Sequence, residues 1–210
     1  MRKKVISFDL DGTIVDAAYG NMVWLDGVPR AYAEKRGMAL EDAKKAVKEE
    51  YDSMGDAQLL WYDIGYWLDR FGLDVPIAPL LDSYSSYIRV LPYAREAIRT
   101  LGEQYMLVIA SNAARIFVDK ELAHTGLGGC FYRTISATSD FGMVKEQEEF
   151  YRRLCSSLGV SPEEVVHVGD HAVFDVEVPL NVGIDSYHYS PVGDGNGRNI
   201  RDLRGLMERI

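Results

Sequence analysis

The chain has 210 residues, 47% of them hydrophobic, enough to bury a full core in one large or two modest domains. Its 23 basic and 32 acidic residues leave a net charge of −9, which argues against a broad nucleic-acid footprint because neutralising phosphates needs a basic face. No run approaches the roughly 18 apolar residues of a membrane span, and Cys130 and Cys155, with neither a CxxC nor a metal-like spacing, read as reduced thiols of a soluble, cytoplasmic protein.

In chain order, the basic start MRKKVISF has an apolar run that stops at Asp9, too short for the hydrophobic stretch of a signal peptide. A strand is predicted at residues 4–8. It runs directly into Asp9 and Asp11, with Asp16 a third carboxylate, in VISFDLDGTIVD. Acids this close raise each other's pKa unless a cation or donors compensate.

From 17 to 90 no strand is convincing. LEDAKKAVKEEYDSM puts Leu40, Ala43, Val47 and Met54 on one face, and its charges form the solvated one. LLWYDIGYWLDRFG offers Leu60, Ile64, Trp67 or Leu68, and Phe71, with Gly72 as the stop. Pro29 should kink or end its helix near Val28. Trp24, Trp61 and Trp67 all fall in this stretch and read as its own core. So long a helical insertion suits a small domain, 17–90, set into an α/β core of 1–16 and 91–210.

Further strands are predicted at 106–110, 132–136, 165–168 and 184–188, with helical patterns at 94–101, 115–124 and 147–158. The last places Cys155 in step with Phe150, Tyr151, Leu154 and Leu158, a buried thiol. The alternation predicts an α/β fold, a Rossmann-like parallel sheet flanked by helices with the all-helical insert. Ser161-Pro162-Glu163-Glu164 reads as a helix start. VGDGNGRN has Arg198 where a GxGxxG would end in glycine, and reads as a loop before a closing helix. His124, His167 and His188 look scattered, with no zinc spacing, and His171 reads as a helix-start residue with no catalytic task.

Parallel α/β sheets bind ligands at the carboxyl ends of their strands. There the sequence delivers Asp9 and Asp11, then Ser111 and Asn112 at the start of a helix, then Lys145 before another helix, then Asp170 and Asp175 in GDHAVFD. This combination describes a hard divalent cation beside an anion site. A carboxylate can attack phosphorus, and a second one, two positions along an extended segment, can protonate the leaving group. Ser111 can donate to a phosphoryl oxygen together with amides at a helix's positive end, and Lys145 supplies transition-state charge.

These residues resemble the haloacid dehalogenase-like (HAD) hydrolase superfamily. VISFDLDGTIVD is similar to its first motif, LVIASN to its second, GMVKEQEEF to its third and HVGDHAVFD to its fourth. The resemblance covers essentially the whole chain, with the helical insert where the family carries a type 1 cap. It implies that Asp9 is the nucleophile and Asp11 the general acid/base, with the phosphoryl group held at Ser111, Asn112 and Lys145. It also implies Mg²⁺ on Asp9, the Asp11 carbonyl and Asp170, with Asp175 supporting directly or through water. Where many members follow the lysine with Pro-Asp-Pro, this chain has Glu146-Gln147-Glu148, acids that suit a helix N-terminus.

The expected activity is Mg²⁺-dependent hydrolysis of a small phosphorylated metabolite through an aspartyl-phosphate, by a monomer or weak homodimer with no nucleic-acid or membrane partner. A phosphomutase or dehalogenase of the same fold, or a non-catalytic binding protein, are the alternatives. Asp11 argues against the dehalogenase, which has no leaving group to protonate. Substrate choice is expected in the insert, first at Tyr19, Asn21 and Trp24, with Asp16 at the hinge.

Overall fold

The computed structural model describes residues 2–193 and 197–210; part of VGDGNGRN, residues 194–196, lies outside the described residues. The chain divides into two compact units, Met1–Asp16 with Val90–Ile210, and Ala17–Arg89.

The first unit is built on a six-stranded sheet. Its strands are β1 (Val5–Phe8), β2 (Met106–Ser111), β3 (Arg133–Ser136), β4 (Val165–Gly169), β5 (Asp185–Tyr189) and β6 (Asn199–Ile200), in the order β3-β2-β1-β4-β5-β6. All pairs are parallel, with Phe8 level with Ile109 on one side and Val168 on the other. Every residue of β1 and β4 is buried, as expected of parallel strands covered on both faces. The strand order reverses at β1, so the crevice for a ligand opens where Asp9 leaves the sheet. The short strand β6 was not among the predicted elements.

The second unit is helical. It contains α1 (Ala18–Met22), α2 (Val28–Arg36), α3 (Leu40–Met54), α4 (Ile64–Phe71) and α5 (Ile77–Ser83). Pro29 does not end its helix. A π-turn, Val23–Gly27, joins α1 to α2, and the Val28 N–H reaches back five residues to the Val23 carbonyl. The widened turn carries the helix past a residue that cannot donate and would crowd the carbonyl four back. In α3 the buried face is Ala43, Val47 and Tyr51, with Leu40 and Met54 only partly covered. Leu60 is exposed, a correction to its predicted core position: Leu59–Tyr62 is a 3₁₀ turn, and α4 starts afresh at Asp63, whose carboxylate accepts from the Tyr66 N–H. Trp24, Tyr51, Trp61, Trp67 and Phe71 form one aromatic cluster.

Back in the first unit, α6 (Ala94–Gly102), α7 (Arg115–Thr125), α8 (Ala137–Asp140), α9 (Glu148–Leu158) and α10 (Val178–Asn181) lie between strands, and α11 (Arg204–Met207) follows the last one. Phe150, Tyr151, Leu154 and Cys155 of α9 are buried in a cluster with Val5, Val108, Ile135 and Val165 of the sheet, worth about 1.5–3 kcal/mol for each large side chain. Ser161 and Glu164 do form a capping box, but what they cap is a single 3₁₀ turn, Pro162–Glu164, because β4 begins at Val165. Among the described residues no helix is long and apolar enough to cross a membrane.

Candidate active site

The site gathers at the carboxyl edge of β1, β2 and β4. Extended backbone ends at Phe8. Asp9 keeps the sheet's last bond by donating its N–H to the Val168 carbonyl, and the chain then curls so that the Leu10 carbonyl accepts from Thr13, Ile14 and Val15. The i, i+2 argument for Asp9 and Asp11 therefore does not apply, since 10–15 is a tight loop rather than a strand. Gly12 is obligatory in that loop. Its φ is +78°, and a Cβ there would lie 2.1 Å from Asp170 Oδ2. Gly169 is needed for a similar reason: its Cβ would sit 2.2 Å from Asp175 Cγ.

Lys145 is the hub. Its side chain is 2% exposed, and Nζ donates to Asp9 Oδ1 at 2.5 Å, Asp175 Oδ1 at 2.6 Å and the Ala110 carbonyl at 3.0 Å. These three partners use all three ammonium protons. Burial opposes the charge, but Asp175 and Asp9 outweigh it and hold the lysine above its usual range. The backbone N–H of Lys145 donates to Asn112 Oδ1 at 2.9 Å, so the side chain after β2 fixes the lysine in place. The unusual acids that follow point away from the hub: Glu146 is exposed, and Glu148 and Glu149 pair with Arg152 and Arg153 one turn along α9.

Asp9, Asp170 and Asp175 bring one carboxylate oxygen each to within 4.8 Å of one another. Asp9 and Asp175 are buried and Asp170 is exposed. Burial, with the charges of Asp175 and Asp170, holds Asp9 well above the carboxylate range against the pull of Lys145. Asp175 goes the other way: burial works against its charge, but Lys145 and then His167 hold it below the usual range. An all-oxygen set of hard donors fits Mg²⁺ and suits neither zinc nor copper.

The Asp11 side chain is not part of this trio. Burial raises its pKa, partly offset by Glu121 on α7 and by the charge of Lys145. Ser111 is buried as the last residue of β2, not at a helix start as predicted, because α7 begins only at Arg115. Its Oγ accepts from the Ala113 N–H at 3.1 Å, so the amides beside it belong to a turn rather than to a helix dipole. Thr13 is buried, and its hydroxyl has no hydrogen-bond partner among the described residues.

Three of the four histidines attend the 169–175 loop, among them His167 and His188, which had looked scattered. His167, wholly buried in β4, is register partner of Ser7 in β1. Its Nδ1 lies 2.9 Å from Ser7 Oγ and its Nε2 lies 2.9 Å from Asp175 Oδ1. An ionised carboxylate can only accept, so Nε2 carries the proton and Nδ1 accepts from the serine hydroxyl. Burial keeps this imidazole neutral by lowering its pKa. His171 N–H donates to Asp175 Oδ2 at 3.0 Å, and the His171 ring accepts from the Phe174 N–H. His188 Nε2 donates to the Asp170 carbonyl at 2.9 Å. The signal was a polar residue at the same level in each of two apolar strands, readable only once their pairing is known.

Of the residues predicted to read the substrate, Tyr19 is buried with its hydroxyl donating to the Leu81 carbonyl, so it packs the helical unit. Trp24 joins the aromatic cluster with Tyr51 and Trp61, and Asn21 is exposed.

A sequence profile of the haloacid dehalogenase-like hydrolases matches residues 3–183. The chain is 26% identical over 180 residues to the GMP/IMP nucleotidase YrfG of Escherichia coli K12, covering 84% of this chain and 79% of that one. It is 29% identical over 202 residues to the glyceraldehyde 3-phosphate phosphatase of Pyrococcus furiosus, covering 87% and 79%. The crystal structure of a HAD phosphatase from Thermococcus onnurineus superposes with a TM-score of 0.86 at 27% identity, over 98% of this chain and 96% of that one. A 2-haloacid dehalogenase from Pseudomonas syringae shares the fold alone, with a TM-score of 0.66 at 19% identity over 98% and 97%. With the profile spanning the loop after β1, the Lys145 hub and the 169–175 loop, the chain belongs to the haloacid dehalogenase-like hydrolase family.

Proposed function

We propose that this protein hydrolyses a small phosphate monoester through an aspartyl-phosphate on Asp9. The observation that carries the reading is the buried Asp9–Lys145–Asp175 cluster at the switch point of the sheet. Lys145 occupies Oδ1 of Asp9 and favours its ionised form against burial, which leaves Oδ2 of the carboxylate to attack phosphorus. As that bond forms, the bond from phosphorus to the ester oxygen breaks, and Asp11 gives its proton to the departing alcohol. Water then attacks the aspartyl-phosphate while the Asp11 carboxylate takes a proton from it, so phosphate leaves and both carboxyls return to their starting states. Lys145 sets its charge against the equatorial oxygens. Ser111, whose oxygen accepts from Ala113, keeps its O–H to donate to the phosphoryl group, and Asn112 serves by holding Lys145.

Asp9, Asp170 and the Asp11 carbonyl would hold Mg²⁺, which supplies positive charge for the phosphoryl oxygens when bound. Asp175 supports rather than ligates in this reading, because its Oδ1 serves Lys145 and His167 and its Oδ2 serves His171. The nucleotidase and sugar-phosphate relatives support the phosphomonoester class, and we assign the helical unit the part of the family's cap, the element that selects the substrate. The test is release of p-nitrophenol from p-nitrophenyl phosphate with and without Mg²⁺, in the wild type and Asp9→Asn. Turnover that needs Mg²⁺ and disappears in the variant is expected. Turnover surviving in Asp9→Asn would remove the aspartyl-phosphate.

A further inference from the structure

The turn after β2 is held from the segment after β3. Ser111 and Ser136 are register partners at the ends of these parallel strands, so residues 112–114 and the short helix α8 leave the sheet as neighbours. Two hydroxyls of the second segment reach carbonyls of the first. Ser136 Oγ donates to the Ala113 carbonyl at 2.7 Å, and Thr138 Oγ1 donates to the Asn112 carbonyl at 3.0 Å. Each hydroxyl has one proton, so the 3.2 Å approach of the two oxygens is a contact between groups that both donate elsewhere. Ser136 Oγ also accepts from the Ser139 N–H, which caps α8. Arg115 pins the same two segments: its backbone N–H donates to Ser139 Oγ at 2.9 Å, and its guanidinium donates to the Thr134 carbonyl and to Asp140. Asp140 in turn accepts from the Ser136 N–H at 2.9 Å.

A planar trans peptide carries these bonds into the site. The Asn112 carbonyl and the Ala113 N–H share one plane and point in opposite directions, so a hydroxyl that holds the carbonyl also aims the N–H. That N–H donates to Ser111 Oγ at 3.1 Å. We propose that Thr138 is a positioning residue for Ser111: through the Asn112–Ala113 peptide it makes Ser111 Oγ an acceptor in the turn and leaves the Ser111 O–H to the phosphoryl group. The inference rests on the reading of Ser111 as a phosphoryl-binding hydroxyl. Ser136 holds the next peptide plane by the Ala113 carbonyl, so neither plane can rotate without breaking a bond to the segment after β3. No proton changes hands in this arrangement. It sets a direction, and the three hydroxyls stay neutral throughout.

A positioning residue matters only while the group it positions is present. The test is therefore a double-mutant cycle on p-nitrophenyl phosphate with Thr138→Val, which keeps the branched shape and drops the hydroxyl, and Ser111→Ala. Thr138→Val alone should lower kcat/KM about tenfold. In the Ser111→Ala background the same change should lower it by less than about twofold, and Thr138→Ser, which restores the hydroxyl, should stay within about twofold of wild type. Should the valine variant not fold, Thr138→Ala carries the same expectation. Should Ser111→Ala turn over too slowly to read, the cycle is read instead in the Kd of orthovanadate with Mg²⁺ by titration calorimetry, where Thr138→Val weakens binding only when Ser111 is present. Equal losses in the two backgrounds would make Thr138 a packing residue of α8 and overturn the proposal, as would a Thr138→Val enzyme equal to wild type. A fully active Ser111→Ala, or a wild type that neither hydrolyses the ester nor binds orthovanadate, fails differently, because it removes the reading beneath and the proposal with it.

Discussion

The two units handle buried charge in opposite ways. In the helical unit Asp26 is buried on the π-turn and fully answered: Arg30 Nε lies at 2.5 Å, the Tyr84 hydroxyl at 2.9 Å and Lys44 Nζ at 3.3 Å. In the α/β unit Lys145 answers only two of three clustered carboxylates, Asp9 and Asp175 but not Asp170, and a further acid, Glu121, is buried with neither oxygen hydrogen-bonded among the described residues. Balanced charge fixes a structure, whereas an excess of buried acid persists where the surrounding fold over-determines it and a reaction uses it. Both units place the decisive acid on a π-turn closed just before a proline, Asp26 ahead of Pro29 and Asp175 ahead of Pro179. The backbone device is shared and the electrostatics differ.

The contrast can be broken at its strongest point first. Lys145→Met leaves Asp9 and Asp175 buried without their cation, so unfolding free energy should fall by about 3–5 kcal/mol and kcat by about a thousandfold. Mg²⁺ should recover part of the stability and little of the rate. Denaturant titration with and without the ion checks this, and a variant as stable as the wild type would mean the cluster is not strained by its acids.

His167→Leu removes one of three donors to Asp175 and leaves the other two. The expected loss is about 10- to 100-fold in kcat with about 1–2 kcal/mol of stability, measured on p-nitrophenyl phosphate and by thermal melting. An unchanged kcat would make the histidine a core residue only. Asp26→Asn should show the reverse balance, about 1–2 kcal/mol of stability with kcat within about twofold. Arg30 first, against burial, with Tyr84 and Lys44, holds Asp26 below the carboxylate range. Its contribution is therefore present above the unfolded carboxylate pKa and is lost as pH falls through the lower folded value. The wild-type margin over Asp26→Asn should shrink on acidification, and a margin that grows would contradict the assignment.

The smallest effect concerns the thiols. Burial pushes Cys155 up to about 11, while Cys130 is exposed. Iodoacetamide near pH 8 should label Cys130 and spare Cys155, as peptide mapping will show, with no change in activity. Equal labelling would mean that α9 opens readily.

Much of this was legible in the sequence, for a physical reason. Parallel strands buried on both faces read as apolar runs, so β1 to β5 announced themselves, and the polar residue ending each run marked the edge where Asp9, Ser111 and Asp170 stand. β6 has two residues and no such run. The histidines and Glu121 were hidden because periodicity says that a position faces inward, and not what it faces. His167 becomes intelligible beside Ser7 only when strand order is known. Leu60 misled for a related reason: helical spacing continued through LLWYD, but the Asp63 cap restarts the helix and leaves the preceding turn exposed.

The central claim is that Asp9 becomes phosphorylated. Rapid mixing of the enzyme with p-nitrophenyl phosphate, acid quenching, reduction of the acyl phosphate with borohydride and peptide mass spectrometry reads it directly. The account predicts that the reduced residue is Asp9 alone, and that the signal is absent without substrate and in Asp9→Asn. Reduction at another residue, or full turnover with no reduced aspartate at any quench time, would contradict it.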